Sequence, residues 1–167
     1  MIVMQICRKG RLNMKVGIIV HSFTGNTLSV AERIKTALHE AGHSANIERV
    51  TAVDENPSAA GDIRLESTPD TSGYDAVIFG APVRGFSLSP VMKAYLLQHA
   101  ALQGKKVGCF VTQRRSKAWL GGNRAVGQMK DACASKGADV IETGIVNWSG
   151  KSREEQIADI AERFGRL

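Results

Sequence analysis

Hydrophobic positions along this chain follow two alternating patterns, namely short β-branched runs and longer stretches with helical spacing. The first run, Val16 to Val20, is too short for a helix and predicts a buried strand. From Thr27 to Ala41, apolar residues recur every three or four positions, which predicts a helix with one packed face that ends at Gly42. A strand that turns directly into a helix is the first unit of an α/β fold.

The same alternation continues through the rest of the chain. Further strands are predicted at Asn46 to Val50, Asp75 to Gly80, Lys105 to Thr112 and Val140 to Val146. Further helices are predicted from Ser89–Pro90 to about Ala101, from Ala125 to Lys136 and from Glu154 to Phe164. Glycine and proline interrupt Thr51 to Gly73, where we expect only a helical turn or two around Ser58 to Leu65. The fold class is therefore α/β, a three-layer doubly wound parallel sheet of five strands in the common order 2-1-3-4-5.

Length and cysteine usage fit one domain in a reducing compartment. The chain has 167 residues and 17 glycines, which suits several tight turns between strands and helices. Its three cysteines, Cys7, Cys109 and Cys133, have no close spacing, so the sequence predicts neither a metal knuckle nor a redox dithiol. An odd count also argues against a disulfide framework, and a cytoplasmic location is expected.

Residues 1–13 are set apart from the domain, which we assign to 14–167. Their apolar residues precede the basic ones, the reverse of a secretory signal, and the stretch is too short to cross a bilayer. Met14 immediately precedes the first strand and is a candidate start. We expect the preceding residues to be a peripheral extension or a cloning remnant, and we expect no membrane span.

The turn between the first strand and the first helix has the composition of an anion site. Ser22, Thr24 and Thr27 supply hydroxyls, Gly25 and Asn26 tolerate positive φ, and amides at a helix start lack intrahelical partners. A nucleoside-triphosphate loop needs a Lys before its Ser or Thr, and a dinucleotide fingerprint needs three glycines. This turn has neither feature, and its neutral donors predict a single terminal phosphate as the ligand.

Two segments carry a resemblance to a known family. Ser22-Phe23-Thr24-Gly25-Asn26-Thr27 resembles the phosphate loop of the flavodoxin family, which reads Ser or Thr, any residue, Thr-Gly-any-Thr. Gly80 to Pro90, G-A-P-V-R-G-F-S-L-S-P, is similar to the family's second loop, G-[TA]-P-V-[YR]-G-x-L-S-P. The resemblance extends over about Lys15 to Phe164. It implies a flavodoxin-like protein of the short-chain type that binds FMN.

The resemblance also implies which residues bind the cofactor. They come from the phosphate loop and from the loops after the third and fourth strands: Ser22, Phe23, Thr24, Gly25, Asn26, Thr27, Ala81, Pro82, Val83, Arg84, Gly85, Phe86, Thr112, Gln113, Trp119, Gly121 and Gly122. Gly85 is the position whose peptide turns toward the flavin in the family, and glycine makes such a flip nearly free. Phe86 either stacks on the flavin or belongs to the core, and Trp119 either stacks on it or covers the loop.

The charge pattern departs from the resemblance, because flavodoxins that carry electrons at low potential are usually acidic around the flavin. Here no Asp or Glu occurs between Ala76 and Lys130, whereas the ring loops contain Arg84, Arg114, Arg115 and Lys117. Cations stabilise the anionic, fully reduced flavin, so we expect a second reduction potential less negative than in acidic flavodoxins. The same cations are candidate contacts for the phosphates of NADPH, an anionic quinone or an acidic protein partner.

The sequence leaves three functions open. The first is an FMN-binding electron carrier, which the absence of an obvious substrate-covering insertion favours. The second is an FMN-dependent NAD(P)H oxidoreductase of the quinone reductase type, which the basic loops favour. The third is a flavodoxin-like domain that has lost its cofactor. A signalling receiver would need acidic residues where His21-Ser22 and Gly80-Ala81 stand.

The remaining candidate sites find little support in the sequence. The pI of 9.5 alone suggests nucleic acid, but no fold motif accompanies it, so no nucleic-acid partner is expected. His39, His43 and His99 have no acidic or cysteine partners at ligand spacing, so no metal site is assigned. His21 is expected to be a satisfied, half-buried histidine, with a general acid as the alternative, and no catalytic residue is assigned.

Overall fold

A parallel five-stranded sheet forms the centre of the molecule, whose computed structural model describes residues 13–55, 63–115, 117 and 119–167. The strands in the described chain are β1 Lys15–Val20, β2 Ser44–Arg49, β3 Thr51–Ala52, β4 Leu65–Ser67, β5 Ala76–Arg84, β6 Ser87–Leu88, β7 Lys106–Gln113 and β8 Asp139–Asn147. The helices are α1 Asn26–Glu40, α2 Pro90–Gln98, α3 Gly122–Ser135 and α4 Arg153–Phe164. The sheet order is β2-β1-β5-β7-β8, all parallel, which confirms the predicted doubly wound arrangement.

Helices cover both faces of this sheet, because successive residues of each central strand point to opposite sides. On one face, Ile18 and Ile78 pack with side chains of α1 and α4, including Ile34 and Phe164. On the other face, side chains such as Phe79 pack with α2 and α3. Each fully buried aliphatic or aromatic side chain stabilises the fold by about 1.5–3 kcal/mol relative to an exposed one.

The third predicted strand is longer than the sequence indicated. β5 runs on to Arg84 because Ala81 and Pro82 still pair with β7, and its last two residues pair antiparallel with β6. The predicted second ring loop is therefore mostly the end of a strand and a tight hairpin. This gives Pro82, Val83 and Arg84 a fixed backbone at the edge where the site opens.

Smaller differences occur at helix ends and in the irregular segment. α2 ends at Gln98 instead of about Ala101, and α3 begins at Gly122 instead of Ala125. Of the helical turn predicted around Ser58 to Leu65, residues 58–62 lie outside the described chain, and the turn is wrong at Leu65, which begins β4. The extension predicted over 1–13 lies outside the described residues except for Asn13.

Two cysteines that are far apart in sequence meet in the core. Cys109 on β7 and Cys133 on α3 are both fully buried, with their sulfur atoms 4.0 Å apart. The hydrogen bond with the Cys133 thiol, together with burial, raises the pKa of Cys109 above its usual range. A buried thiol whose pKa is raised fits the packing role predicted for Cys109.

None of the helices in the described ranges combines the length and the apolar composition that crossing a bilayer requires.

Candidate functional site

The three predicted loops meet at the carboxyl ends of β1, β5 and β7. There they enclose a cavity of about 250 Å³ lined by Phe23, Thr24, Asn26, Pro82, Val83, Arg84, Thr112, Gln113 and Arg114. Eight of these residues are predicted cofactor contacts, and Arg114 is one of the predicted ring-loop cations. A larger cavity, about 600 Å³, lies between α1 and α4 and contains no predicted site residue, so we assign the site to the smaller one. In parallel α/β sheets, ligands bind at the carboxyl ends of strands where the strand order reverses.

Two amides of the phosphate loop are capped by the loop's own serine hydroxyl. The backbone amides of Gly25 and Leu28 donate to the Ser22 hydroxyl at 3.1 and 3.3 Å, so both are directed into the turn. Gly25 has φ 91°, a left-handed conformation that lets the chain enter α1 immediately afterwards. Thr24 and Asn26 line the cavity beside these amides. The arrangement supplies neutral donors and the positive end of a helix dipole to an anion.

A cation that the sequence analysis missed braces this loop. Arg49, at the end of β2, donates from Nη2 to the Ser22 carbonyl oxygen at 3.0 Å. The sequence places Arg49 only at the end of an edge strand, and the pairing of Val20 with Arg49 in the sheet is what brings it beside the loop. Arg49 thus adds positive charge behind the loop but does not line the cavity, and the expectation that neutral donors bind the anion stays a prediction.

Thr27 and Thr112 contact each other. Their hydroxyl oxygens are 2.8 Å apart and buried, which connects the start of α1 to the end of β7. Thr112 still lines the cavity, but Thr27 does not. The structure thus gives Thr27 a bracing contact between the first and third loops.

The second loop is a two-residue hairpin in which both central residues have positive φ. Gly85 has φ 57° and Phe86 has φ 63°, and Phe86 is the only non-glycine residue with positive φ among those the structure describes. Positive φ at both positions is the requirement of a type I′ hairpin turn, and a bulky residue there stores backbone strain of about 1–3 kcal/mol. Phe86 is 48% exposed, so the alternative that this side chain belongs to the hydrophobic core is wrong.

The third loop closes against the second through Gly121. This glycine has φ 115° and packs so tightly that a Cβ built on it would lie 2.8 Å from Cα of Phe86. Gly122 lies against Gln113, while Trp119 is 70% exposed and is not among the residues that line the cavity. The structure therefore brings the predicted third loop to the site through Thr112, Gln113 and the glycines, and leaves the Trp119 ring outside the cavity.

A buried acceptor next to the cavity fits a flavin. The Gln113 amide nitrogen donates to Asn147 Oδ1 at 2.5 Å and to the Lys117 carbonyl at 2.7 Å. Its Oε1 is buried and has no hydrogen-bond partner among the described residues. A flavin carries an N–H donor on its pyrimidine edge, and the apolar Pro82 and Val83 on the neighbouring strand suit its flat rings. Together with the amides at α1, the residues present fit a flavin phosphate.

His21 connects three segments behind the phosphate loop. Its ring is 1% exposed, with Nδ1 2.6 Å from the Ser89 hydroxyl and Nε2 2.8 Å from Glu55 Oε2. Ser89 also accepts from the Met92 amide as the N-cap of α2, so its hydroxyl hydrogen is available to Nδ1. This pattern fits a neutral imidazole with its proton on Nε2.

The hydrogen-bonded series Ser89, His21, Glu55 resembles a hydrolase triad, but its geometry indicates a structural role. Ser89 is fully buried and caps a helix, so no substrate reaches its oxygen. The prediction of a satisfied histidine is confirmed, with deeper burial than the expected half. The general-acid alternative is not supported, because His21 does not line the cavity.

Acidification is expected to destabilise the fold through this histidine. Burial lowers the pKa of His21 below its ordinary 6.5, against an opposing effect of Glu55. As pH falls below 6.5, the unfolded chain binds a proton that the folded chain does not, so the free energy of unfolding decreases. The slope from one proton is at most about 1.4 kcal/mol per pH unit. We expect urea unfolding between about pH 7.5 and 5.5 to show this loss.

The matched variant for that experiment is His21→Gln, which keeps a polar side chain but does not titrate. It is expected to be less stable than the wild type at neutral pH and to lose less stability on acidification. Equal pH dependence in the two proteins would show that His21 does not titrate on unfolding.

Comparison with known proteins is consistent with this architecture. The chain from residue 17 to 138 matches the family described as flavodoxin domain. A flavodoxin from Megasphaera elsdenii is 32% identical over 135 residues, which are 79% of this chain and 85% of that protein. Oxidised Flavodoxin 2 from Bacillus cereus superimposes with a TM-score of 0.67 at 22% identity, covering 91% of this chain and 98% of the other. At that identity the superposition supports the fold alone.

Other relatives are longer than the matched region. Protoplast secreted protein 2 of Saccharomyces cerevisiae is 32% identical over 124 residues, which are 66% of this chain and 61% of that protein. An NAD(P)H dehydrogenase (quinone) of Archaeoglobus fulgidus is 30% identical over 95 residues, which are 49% of each chain. The chain thus spans about half to three fifths of the length of these two relatives. The matched family region contains the phosphate loop, the β5–β6 hairpin and the third loop, and the chain belongs to the flavodoxin domain family.

Proposed function

We propose that this protein binds FMN and transfers electrons through it. The observation that carries the proposal is the cavity at the ends of β1, β5 and β7, which combines helix-start amides with residues of all three loops. Bound FMN supplies chemistry that exchanges one or two electrons, while the protein binds the ring and tunes its potential. The odd cysteine count supports the further proposal of a cytoplasmic location.

Each loop has a distinct role in this proposal. The start of α1, with the side chains of Thr24 and Asn26, holds the phosphate, because a helix start favours an anion. Pro82 and Val83 provide an apolar edge along the flat ring, and Arg84 beside them supplies positive charge. In the third loop, Gln113 Oε1 and the backbone near Thr112 face the polar pyrimidine edge.

The direct test is the visible spectrum of the purified protein. We expect a yellow preparation with oxidised-flavin absorbance, and mass spectrometry of the heat-released cofactor is expected to give FMN. A protein purified without flavin is expected to bind added FMN at micromolar concentration. A colourless protein that does not bind added FMN would favour a flavodoxin-like domain without its cofactor.

An FMN-dependent NAD(P)H oxidoreductase is the second candidate. It is favoured by the cations Arg84 and Arg114 in the cavity wall and by the similarity to NAD(P)H dehydrogenases (quinone) of Archaeoglobus fulgidus and Caulobacter vibrioides. Anaerobic mixing of the FMN-loaded protein with NADPH separates the two functions. A carrier is expected to keep its oxidised spectrum over seconds, whereas rapid bleaching would identify a reductase.

Removal of a cation that lines the cavity is expected to lower the flavin potential. Arg84→Gln keeps a polar side chain that can donate hydrogen bonds, but it removes a charge that favours the anionic, fully reduced cofactor. A loss of about 1.4 kcal/mol corresponds to about 60 mV for a one-electron step, so we expect a decrease of tens of millivolts in the second potential. Spectroelectrochemistry measures this shift.

Lys106→Gln is the matched control, because this exposed residue begins β7 at the opposite end of the sheet. Its second potential is expected to stay near the wild-type value, and we expect that value to be less negative than in acidic flavodoxins. Equal potentials in Arg84→Gln and wild type would contradict the electrostatic account.

A further inference from the structure

The side-chain amide of Gln113 is held in one orientation by two acceptors. Gln113 is 4% exposed and lines the cavity at the end of β7. Its Nε2 donates to the Lys117 carbonyl oxygen at 2.7 Å and to Asn147 Oδ1 at 2.5 Å. A primary amide has two N–H donors, so both of them have a partner here. The Oε1 atom is buried without a partner among the described residues, and it is therefore the part of the side chain that is left to accept a hydrogen bond.

The carbonyl group of Lys117 decides which end of the amide is the nitrogen. A backbone carbonyl oxygen accepts hydrogen bonds and never donates them, so the opposite orientation of Gln113 would place Oε1 against another acceptor. With Nε2 fixed at this position, the atom of Asn147 that faces it must be the oxygen. The two side chains thus form an ordered pair, in which Asn147 accepts and Gln113 Oε1 is directed away from both acceptors.

Sheet register and two further hydrogen bonds fix Asn147 itself. Gln113 and Asn147 are paired neighbours at the carboxyl ends of β7 and β8. The Asn147 backbone amide donates to Gln156 Oε1 on α4 at 2.8 Å, and the Trp148 amide donates to the Gln113 carbonyl oxygen at 2.7 Å. Asn147 is 7% exposed and does not line the cavity. It therefore offers Gln113 an acceptor that is anchored to the sheet, whereas Lys117 lies in the third loop.

We propose that Asn147 is a positioning residue, which makes Gln113 Oε1 the acceptor for the imide N–H of the bound flavin. The inference rests on the proposed function and adds a specificity determinant on β8, outside the three loops. The imide N–H lies between two carbonyl groups and is the one donor on the pyrimidine edge of an oxidised flavin. An amide turned around would place Nε2 against this N–H, donor against donor. The site thus distinguishes a flavin with a free imide N–H from one in which that hydrogen is replaced.

The probe for this contact is 3-methyl-FMN, in which a methyl group replaces the imide hydrogen and the phosphate is unchanged. The flavin-free protein is titrated with FMN and with 3-methyl-FMN under identical conditions, and the ratio of the two dissociation constants is compared. For the wild type we expect FMN to bind at least about tenfold more tightly, because the methylated flavin leaves Oε1 buried without a donor. This measurement needs no substitution, so it tests the contact even where a variant does not fold.

Two substitutions of Asn147 test the positioning role. Asn147→Leu removes the acceptor oxygen with a side chain of similar size, so one N–H of the Gln113 amide loses its partner. We expect the preference for FMN over 3-methyl-FMN to fall to within about threefold, through weaker binding of FMN. Asn147→Asp keeps an oxygen in the position of Oδ1. Its charge weakens the binding of both phosphate-bearing flavins, but the preference is expected to remain at least about tenfold.

The control is Gln156→Leu, which removes the hydrogen bond to the Asn147 backbone and leaves the contact between Asn147 and Gln113 in place. It is expected to lower the free energy of unfolding, measured with urea, and to keep the preference for FMN within about twofold of the wild type. A purely structural role of Asn147 would weaken the binding of FMN and 3-methyl-FMN equally and would leave their ratio unchanged.

Four results would overturn the inference. One is a wild-type ratio near one, because Oε1 would then not accept from the imide N–H. Another is a wild-type ratio in Asn147→Leu, and a third is an equal loss of the ratio in Asn147→Leu and Asn147→Asp, since neither outcome fits an acceptor oxygen that orients the amide. The fourth is an equal loss in Gln156→Leu, which would indicate a general disturbance of β8. A protein that binds neither flavin would overturn the proposed function instead, and the FMN titration distinguishes that case.

Discussion

Thr24→Asp is expected to weaken FMN binding at least about 100-fold, which corresponds to about 2.7 kcal/mol. Thr24 is exposed and lines the cavity beside the amides of Gly25 and Leu28. A carboxylate at this position would face the flavin phosphate, and two like charges about 4 Å apart repel by about 4 kcal/mol near a protein surface. The measurement is a titration of the flavin-free protein with FMN, followed by quenching of flavin fluorescence.

The matched control is Thr24→Asn, which has nearly the same shape as Asp and no charge. It is expected to bind FMN within about tenfold of the wild type, because only hydrogen bonding changes. Riboflavin, which lacks the phosphate, is expected to bind the wild type and Thr24→Asp with similar affinity. Equal weakening of FMN and riboflavin by Asp would place the phosphate elsewhere.

Gly121→Ala is expected to lower the free energy of unfolding by about 2–5 kcal/mol and to prevent tight FMN binding. The left-handed conformation at φ 115° costs a residue with a Cβ about 1–2 kcal/mol. The added carbon would also lie 2.8 Å from the backbone of Phe86, and relief of such an overpacked contact costs about 1–3 kcal/mol. Because this contact joins the second and third loops, its displacement opens the site. Urea unfolding and FMN titration measure the two effects.

Gly104→Ala is the control that separates the backbone strain of positive φ from the steric clash that Gly121→Ala creates with Phe86. Gly104 has φ 72°, but no atom lies within 4 Å of the position that its Cβ would take. It precedes β7, at the end of the sheet opposite the site. We expect a loss of about 1–2 kcal/mol with unchanged FMN affinity. Equal effects of the two substitutions on both measurements would contradict a special role for the Gly121 contact.

Local patterns were sufficient to predict the frame of the site. The β-branched run ending at Val20 and the helical spacing from Thr27 define both flanks of the phosphate loop, and they depend on neighbouring residues only. The alternation of elements predicted the doubly wound sheet, and the strand order is the common one for five strands of that kind. The three loops then meet because parallel strands end at one edge, so most cavity-lining residues could be predicted before any coordinates.

Long-range contacts could not be predicted in the same way. Arg49 reaches the phosphate loop through sheet register, and His21 contacts Glu55 and Ser89, which are 34 and 68 positions away. No spacing rule identifies such partners in a single sequence. These contacts hold the phosphate loop in place against the neighbouring segments.

The hairpin at the end of β5 was missed for a different reason. Its turn uses Phe86 at positive φ, where turn preferences favour glycine or asparagine, so no short-range signal marks it. Tertiary packing against Gly121 holds this conformation in place. The exposure of Phe86 and Trp119 also follows from how the loops close, which composition alone does not specify.

The most direct test of FMN binding through its phosphate is the ratio of two dissociation constants, measured by titrating the flavin-free protein with FMN and with riboflavin under identical conditions. We predict that FMN binds at least about 100-fold more tightly, because only FMN places an anion on the start of α1. Equal affinities for the two flavins, or no binding of either at micromolar concentration, would contradict the account.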